Sequence, residues 1–164
     1  MQIDISYAVE EEPLGTGGGL LNAFKSVKGE ETFVLNGDSF FDISLRDLES
    51  RHCKWKSDVS LALRRVKDLS RYGAVEIDEK FDVRGFREKE VKGEGYINAG
   101  IYVLRKSVFE EVDLGDRFSF EQDFLGKTIG SLAMKGFPFK GIFIDVGTPE
   151  DFRRAERAFR EKRN

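Results

Sequence analysis

At 164 residues, 40% apolar and 35% charged, the chain has the size of one domain with a real core and is cramped for two. Its 27 Lys and Arg against 30 Asp and Glu leave a net charge of −3, which argues against a nucleic-acid partner. A single Cys and a single His exclude an internal disulfide and a zinc site built from those ligands, and they suit a reducing compartment.

The opening Met1-Gln2-Ile3-Asp4-Ile5 lacks the charged n-region and apolar h-region of a signal peptide. The longest apolar runs are strand-sized, so the reading is a cytoplasmic chain without a membrane span. Ile3, Ile5 and Tyr7 alternate with Asp4 and Ser6, which predicts a short half-buried strand. Gly15-Thr16-Gly17-Gly18-Gly19 follows, and Leu20, Leu21, Ala23 and Phe24 predict a helix opening from that loop. The apolar run Thr32-Phe33-Val34-Leu35 before Asn36-Gly37-Asp38 predicts a central strand, buried on both faces and ending in a turn. Ser44 with Asp47 predicts a capped helix start. His52 lies beside Cys53 in a chain with no Gly-x-Ser-x-Gly, so neither a serine triad nor a dyad of helix neighbours is expected. Trp55 reads as a surface or helix-end aromatic.

Val59, Leu61, Leu63 and Arg65 predict another strand. Residues 73–77 and 83–87 flank Asp78-Glu79-Lys80 as a hairpin, and residues 96–104 form a long strand. Ser119-Phe120-Glu121-Gln122 reads as a capping box, and residues 136–144 as a last strand or strand pair. Thr148 and Pro149 then supply the cap and first position of a terminal helix. Phe152, Ala155 and Phe159 share one face of that helix, and its arginines, interleaved with Glu156 and Glu161, read as a solvated face. Together these elements predict a single α/β domain over residues 1–164, with a mixed, mostly parallel sheet and an inserted antiparallel part.

With His and Cys nearly absent, chemistry falls to carboxylates. Asp38 follows one apolar strand and Asp145 another, at the ends where open α/β sheets bind ligands. Each alone equally reads as the cap of a turn. As a pair, with Gly37 and Gly147 leaving room for a ligand, they read as a Mg²⁺ site, since that ion takes one or two carboxylates plus phosphate oxygens. The Gly-rich loop fits neither Gly-x-x-x-x-Gly-Lys-Ser/Thr nor Gly-x-Gly-x-x-Gly, and by itself equally suits a helix entry.

Four stretches occur in order: Glu12-Pro13-Leu14-Gly15-Thr16-Gly17-Gly18, Val34-Leu35-Asn36-Gly37-Asp38, Ile97-Asn98-Ala99-Gly100-Ile101-Tyr102 and Phe143-Ile144-Asp145-Val146-Gly147-Thr148-Pro149-Glu150-Asp151. Together they resemble the sugar-1-phosphate nucleotidyltransferases, most of all the heptose-1-phosphate and mannose-1-phosphate guanylyltransferases. Asp38-Ser39-Phe40-Phe41-Asp42-Ile43 and Ser119-Phe120-Glu121-Gln122-Asp123-Phe124 resemble the heptose enzymes in particular. The resemblance implies a Rossmann-like nucleotide-diphospho-sugar transferase fold and the joining of a sugar 1-phosphate to GTP with release of pyrophosphate. It implies that Leu14, Gly15, Thr16, Gly17, Gly18 and Gly37 contact the nucleotide, the first five largely through backbone, and that Asp38 and Asp145 hold Mg²⁺. Gly73, Glu88, Lys89, Asn98 and Gly100 would form the sugar-phosphate pocket. Two positions depart from the pattern: Glu90 follows the Glu-Lys pair where the family usually has Pro, and Phe143 precedes the second aspartate where Trp is frequent.

The resemblance further implies a Gly-x-Gly-x-Arg loop and a Lys-Pro pair around the triphosphate, and neither occurs before Glu10. The expectation is therefore a chain that begins at the third strand of the nucleotide-binding half, with turnover lowered about a thousandfold. Residues 3–7 and 32–36 would then border a mid-sheet gap. It would close by an inward shift of residues 3–7 or by a second copy in a two-fold dimer. A non-catalytic sugar-nucleotide-binding or regulatory module is the alternative reading. A metal-dependent glycosyltransferase is another, although Asp38-Ser39-Phe40-Phe41-Asp42 lacks the Asp-x-Asp spacing.

Overall fold

Short-range signals set most element boundaries in the computed structural model, which describes residues 3–87, 93–110 and 112–161. Helix α1 (Gly15–Phe24) is followed by strands β1 (Glu31–Leu35) and β2 (Ser39–Phe41), helix α2 (Leu45–Trp55) and strand β3 (Val59–Val66). The hairpin of β4 (Ala74–Ile77) and β5 (Val83–Arg87) leads to the long strand β6 (Gly95–Arg105). A π-type turn (Phe120–Leu125) runs into a single helical turn, α3 (Gly126–Thr128), before β7 (Met134–Phe139), β8 (Phe143–Asp145) and helix α4 (Pro149–Glu161).

The caps explain the helix starts. Ser44 Oγ accepts the Asp47 N–H at 3.2 Å, and Thr148 Oγ accepts the Asp151 N–H at 3.1 Å while donating to its carboxylate at 2.7 Å. At the π-type turn the reciprocal bond is made one residue later than expected. Ser119 Oγ accepts from Gln122 N–H, but the group reaching back to the Ser119 N–H, at 2.8 Å, is Asp123 and not Gln122. The wide turn, with Phe124 N–H reaching the Ser119 carbonyl at 3.1 Å, shifts the returning side chain by one place.

One sheet runs β5-β4-β6-β3-β7, and β2 with β8 forms a separate antiparallel ribbon. Strand β6 organises the main sheet. Along one edge it pairs with β3 from Gly95 to Leu104. Its other edge is shared: β4 pairs at Tyr96 and Ile97, and β1 pairs from Ile101 to Arg105. Between these partners β6 bulges. It advances from Asn98 to Tyr102 while β3 advances only from Leu63 to Leu61, and Gly100 sits at φ +71°.

The α/β class and the mixed sheet agree with expectation, but the balance of directions differs. Among the named strands only β3 and β7 pair parallel, so parallel pairing does not dominate the described residues. Burial on both faces produces a continuous apolar run whichever way the neighbours point. In β3, Leu61 and Leu63 join Tyr102, Phe120 and Phe124 on one face, while Ala62 joins Leu48, Val103 and Phe137 on the other.

Two strand expectations need correction. Residues 3–7 form no strand; Ile3, Ile5 and Tyr7 are exposed in irregular chain, with no ladder partner among the described residues. They neither border a gap nor shift onto residues 32–36. Alternation marks a strand only where a neighbour completes its hydrogen bonds. Strand β1 is not central either: its one described partner is β6, and Leu35 is 55% exposed.

His52 is buried against the sheet, with Nδ1 2.8 Å from Ser60 Oγ. Its Nε2 has no hydrogen-bond partner among the described residues and lies 3.6 Å from Glu31 Oε1. Burial holds its pKa below the ordinary imidazole value, with Glu31 and Asp58 opposing and Arg105 adding a smaller push downward. Because the folded pKa is the lower one, the unfolded chain takes up the proton first as pH falls. Stability is therefore expected to be full above pH of about 6.5 and to decline below it. Urea melts at pH 7.5 and 5.5 should show a drop in midpoint that shrinks in His52→Gln; an equal drop in both proteins would refute the assignment.

Candidate active site

The β2–β8 ribbon sets the backbones of the two aspartates close to one another. Ser39 lies opposite Asp145, and Val146 N–H donates to the Asp38 carbonyl at 2.8 Å, so the two residues occupy neighbouring rungs. Asp38 is exposed and Asp145 half-buried. Ser39 Oγ is buried, faces Gly100 and has no hydrogen-bond partner among the described residues. A Cβ on Gly37 would meet nothing within 4 Å, and one on Gly147 would come no nearer than 3.8 Å to Asp145. Among the described residues no group of three or more His, Cys, Asp or Glu side chains converges to hold a metal. Two carboxylates with open space beside them are the protein share that Mg²⁺ commonly takes, the rest being water and phosphate oxygens, so the donor set fits that ion.

The Gly-rich loop is itself the first turn of α1, with Leu14 at the cap and Gly15 at φ +75°. Its close neighbour is the segment entering the π-type turn. A Cβ on Gly15 would stand 2.6 Å from the Phe118 carbonyl oxygen, one on Gly17 would run into the Phe118 ring, and one on Gly18 into the Asp116 carbonyl. Several backbone groups expected to face a nucleotide are engaged within the chain. Gly17 N–H donates to Phe118 O at 2.9 Å, Leu14 O accepts Phe118 N–H at 3.1 Å, and Leu14 N–H donates to Glu10 at 2.9 Å. The glycines thus have a packing reason of their own.

A cleft of about 630 Å³ opens where β6 is left without a ladder partner between β4 and β1. Gly73, Asn98 and Asp145 line it, so the structure brings these three predicted residues together. Gly100 lies two residues from Asn98 at the bulge; its N–H donates to Asn98 Oδ1 at 3.1 Å and its carbonyl accepts Asn36 N–H at 2.8 Å. The side chain thereby satisfies a backbone donor that the interrupted ladder leaves over. Asp38 stands beside Asp145 on the ribbon and is not part of the cleft wall. Glu88 and Lys89 lie outside the described residues.

The cleft also holds residues that the sequence reading gave no role there: Arg71, Tyr72, Glu121 and Gln122. The sequence assigns Glu121 and Gln122 to a helix cap. The signal available was Glu121 itself, a carboxylate amid Phe118, Phe120, Phe124 and Leu125, all of which are buried. Behind the cleft wall, Tyr102 is fully buried and donates its hydroxyl toward Glu121 Oε1 at 3.4 Å while accepting from Asn98 Nδ2 at 2.6 Å. Burial and the nearby Glu121 charge push the Tyr102 phenol far above its ordinary pKa, against the Asn98 bond, so it stays protonated. Arg71 reaches Asp151 at 3.2 Å, tying the cleft's edge to the first turn of α4.

Comparison with known proteins places this geometry among relatives. The nucleotidyl transferase family matches residues 1–162. The D-glycero-alpha-D-manno-heptose 1-phosphate guanylyltransferase of Aneurinibacillus thermoaerophilus is 43% identical over 155 residues, covering 94% of this chain and 67% of that protein. The protein of the same name from Campylobacter jejuni is 45% identical over 150 residues, covering 92% and 65%. The crystal structure of HddC from Yersinia pseudotuberculosis complexed with GMP-PN superposes with a TM-score of 0.81 at 38% identity, over 92% of this chain and 64% of that one. The chain thus spans about two thirds of the length of these relatives. Among the described residues, no helix is long and apolar enough to cross a membrane.

Proposed function

The chain belongs to the nucleotidyl transferase family, and from that premise we propose that it serves the guanylyl transfer of a sugar 1-phosphate, of heptose or mannose type. In that reaction a phosphate oxygen of the sugar 1-phosphate attacks the α-phosphorus of GTP, the bond to the β-phosphate oxygen breaks, and pyrophosphate leaves. The cleft where Gly73, Asn98 and Asp145 meet is the single observation that carries the reading. Its volume suits a small ligand, and its polar groups suit sugar hydroxyls.

Asn98 is held by Gly100 N–H and by Tyr102, so its amide is set before a ligand arrives. In the proposal Gly73 and Asn98 take the sugar, a role that Glu88 and Lys89 share by resemblance, and the first turn of α1 with Gly37 takes the nucleotide. Asp38 and Asp145 would hold Mg²⁺, which supplies charge neutralisation for the phosphates when bound. Transfer of this kind depends on positioning and charge, and these residues supply positioning from three separate elements.

The guanylyl and heptose parts of the reading follow the names of the relatives given above at 43% and 45% identity. Pyrophosphate release from GTP, UTP and dTTP, each with heptose or mannose 1-phosphate, tests the choice of base. Release with GTP at least tenfold above that with either pyrimidine triphosphate is the expected result. A preference for UTP or dTTP would overturn the base assignment.

A further inference from the structure

Four polar side chains link the first turn of α1 to the bulge of β6, and their donors and acceptors run in a fixed order. Asn98 Nδ2 donates to Tyr102 Oη at 2.6 Å. Tyr102 donates to Glu121 Oε1 at 3.4 Å, and Thr16 Oγ1 donates to Glu121 Oε2 at 3.3 Å. Thr16 in turn accepts the Phe120 N–H at 2.9 Å, which orients its proton toward Glu121. Glu121 is the only charged member and the end point of both arms. It sits on the π-type turn, a local departure from α-geometry often found beside functional sites, and it lines the cleft. Phe120 and Phe124 stack at 5.4 Å, and Phe120 meets Tyr102 edge-on at 5.1 Å, so the turn is held against the buried phenol. Each oxygen of Glu121 already accepts one hydroxyl proton. A shift of Thr16 therefore reaches Asn98 through one carboxylate, held at both oxygens, and one phenol confined by packing.

We propose that Glu121 is a positioning residue that couples the Gly-rich turn to Asn98, so that a nucleotide seated at Thr16 sets the cleft for the sugar 1-phosphate. The inference rests on the proposed guanylyl transfer for the identity of its two ligands. Its physical content is a linkage between two sites, which is reciprocal and typically changes affinity fivefold or more.

The test is a set of calorimetric titrations in the presence of Mg²⁺. Mannose 1-phosphate is titrated into the protein alone and into protein saturated with guanosine 5′-(α,β-methylene)triphosphate, whose bridging carbon prevents turnover. The expected result is about fivefold or greater tightening by the nucleotide in the wild type. In Glu121→Leu that ratio should fall to within about twofold of unity, and in Tyr102→Phe, which keeps the ring and loses only the hydroxyl, it should fall likewise. A general loss of structure would lower the melting midpoint and both affinities without selectively removing the ratio. If Glu121→Leu does not fold, Tyr102→Phe decides. A retained ratio in the folded variants overturns the proposal, as does a wild type that binds both ligands independently. A wild type that binds neither overturns the functional reading itself, and with it the proposal.

Discussion

Asp145→Asn should release pyrophosphate from GTP and a sugar 1-phosphate about 10²–10³-fold more slowly than the wild type, the loss typical of removing one preorganised electrostatic contact to reacting phosphates. The effect should fall on chemistry, because Asp145 closes a three-residue strand whose pairing with Ser39 is made by backbone and does not need the charge. The melting midpoint should therefore move by no more than a few degrees. Asp38→Asn should lose a similar factor, and the double variant should lose far less than the product of the two, since both would act through one bound ion. Turnover within tenfold of wild type in Asp145→Asn would remove the carboxylate pair from the reaction and leave the turn-cap reading.

Gly100→Ala should cost the fold heavily for a single-methyl change. Gly100 lies at φ +71°, which costs an L-residue about 1–2 kcal/mol. Its new Cβ would stand 2.7 Å from Ser39 Oγ and 2.9 Å from Asn36 Nδ2, and overpacking of this kind costs about 1–3 kcal/mol more. A loss of roughly 2–5 kcal/mol is expected from urea unfolding. Gly37→Ala, whose Cβ meets nothing within 4 Å, is the control and should change stability by about 0.5 kcal/mol or less. Equal midpoints for the two variants would show that the bulge relaxes without strain.

Much of the fold was legible where the cause is local. Ser44 and Thr148 cap because their hydroxyls reach an N–H three residues on, a bond that needs nothing distant. The hairpin after Ile77 turns on Asp78, whose carboxylate accepts the N–H groups of Lys80 and Asp82, at 2.8 and 2.9 Å. The family was legible because four motifs keep their order, and the α/β class because strand-length and helix-length patterns alternate. Strand direction was not: Val59, Leu61 and Leu63 report burial, and burial is blind to whether the neighbour runs up or down. The irregular course of residues 3–7 was hidden for the same reason, since alternation records a face and not a partner. At the candidate site, Gly73, Asn98 and Asp145 are named by the sequence and line one cleft, whereas Glu121 was hidden by its neighbours. Ser119 with Gln122 satisfied a capping rule, and nothing in the spacing says that the turn widens to five residues and turns Glu121 into a cleft.

The sharing of β6 among three partners has a consequence for how the chain is made. Strands β1, β3 and β4 each wait for a strand that leaves the ribosome later than all of them. Between the synthesis of Leu35 and that of Arg105 lie about 70 residues, or roughly 4–14 s at typical translation rates of about 5–20 residues per second. During that interval the apolar run Val59, Leu61 and Leu63 lacks both of its ladder partners among the described residues, β6 and the parallel β7, which arrives later still. The nascent chain is thus sticky in its middle until β6 and then β7 arrive. A pause or a strand-breaking change within residues 95–105 would be felt less as a weaker native state than as a longer exposure of the unfinished one.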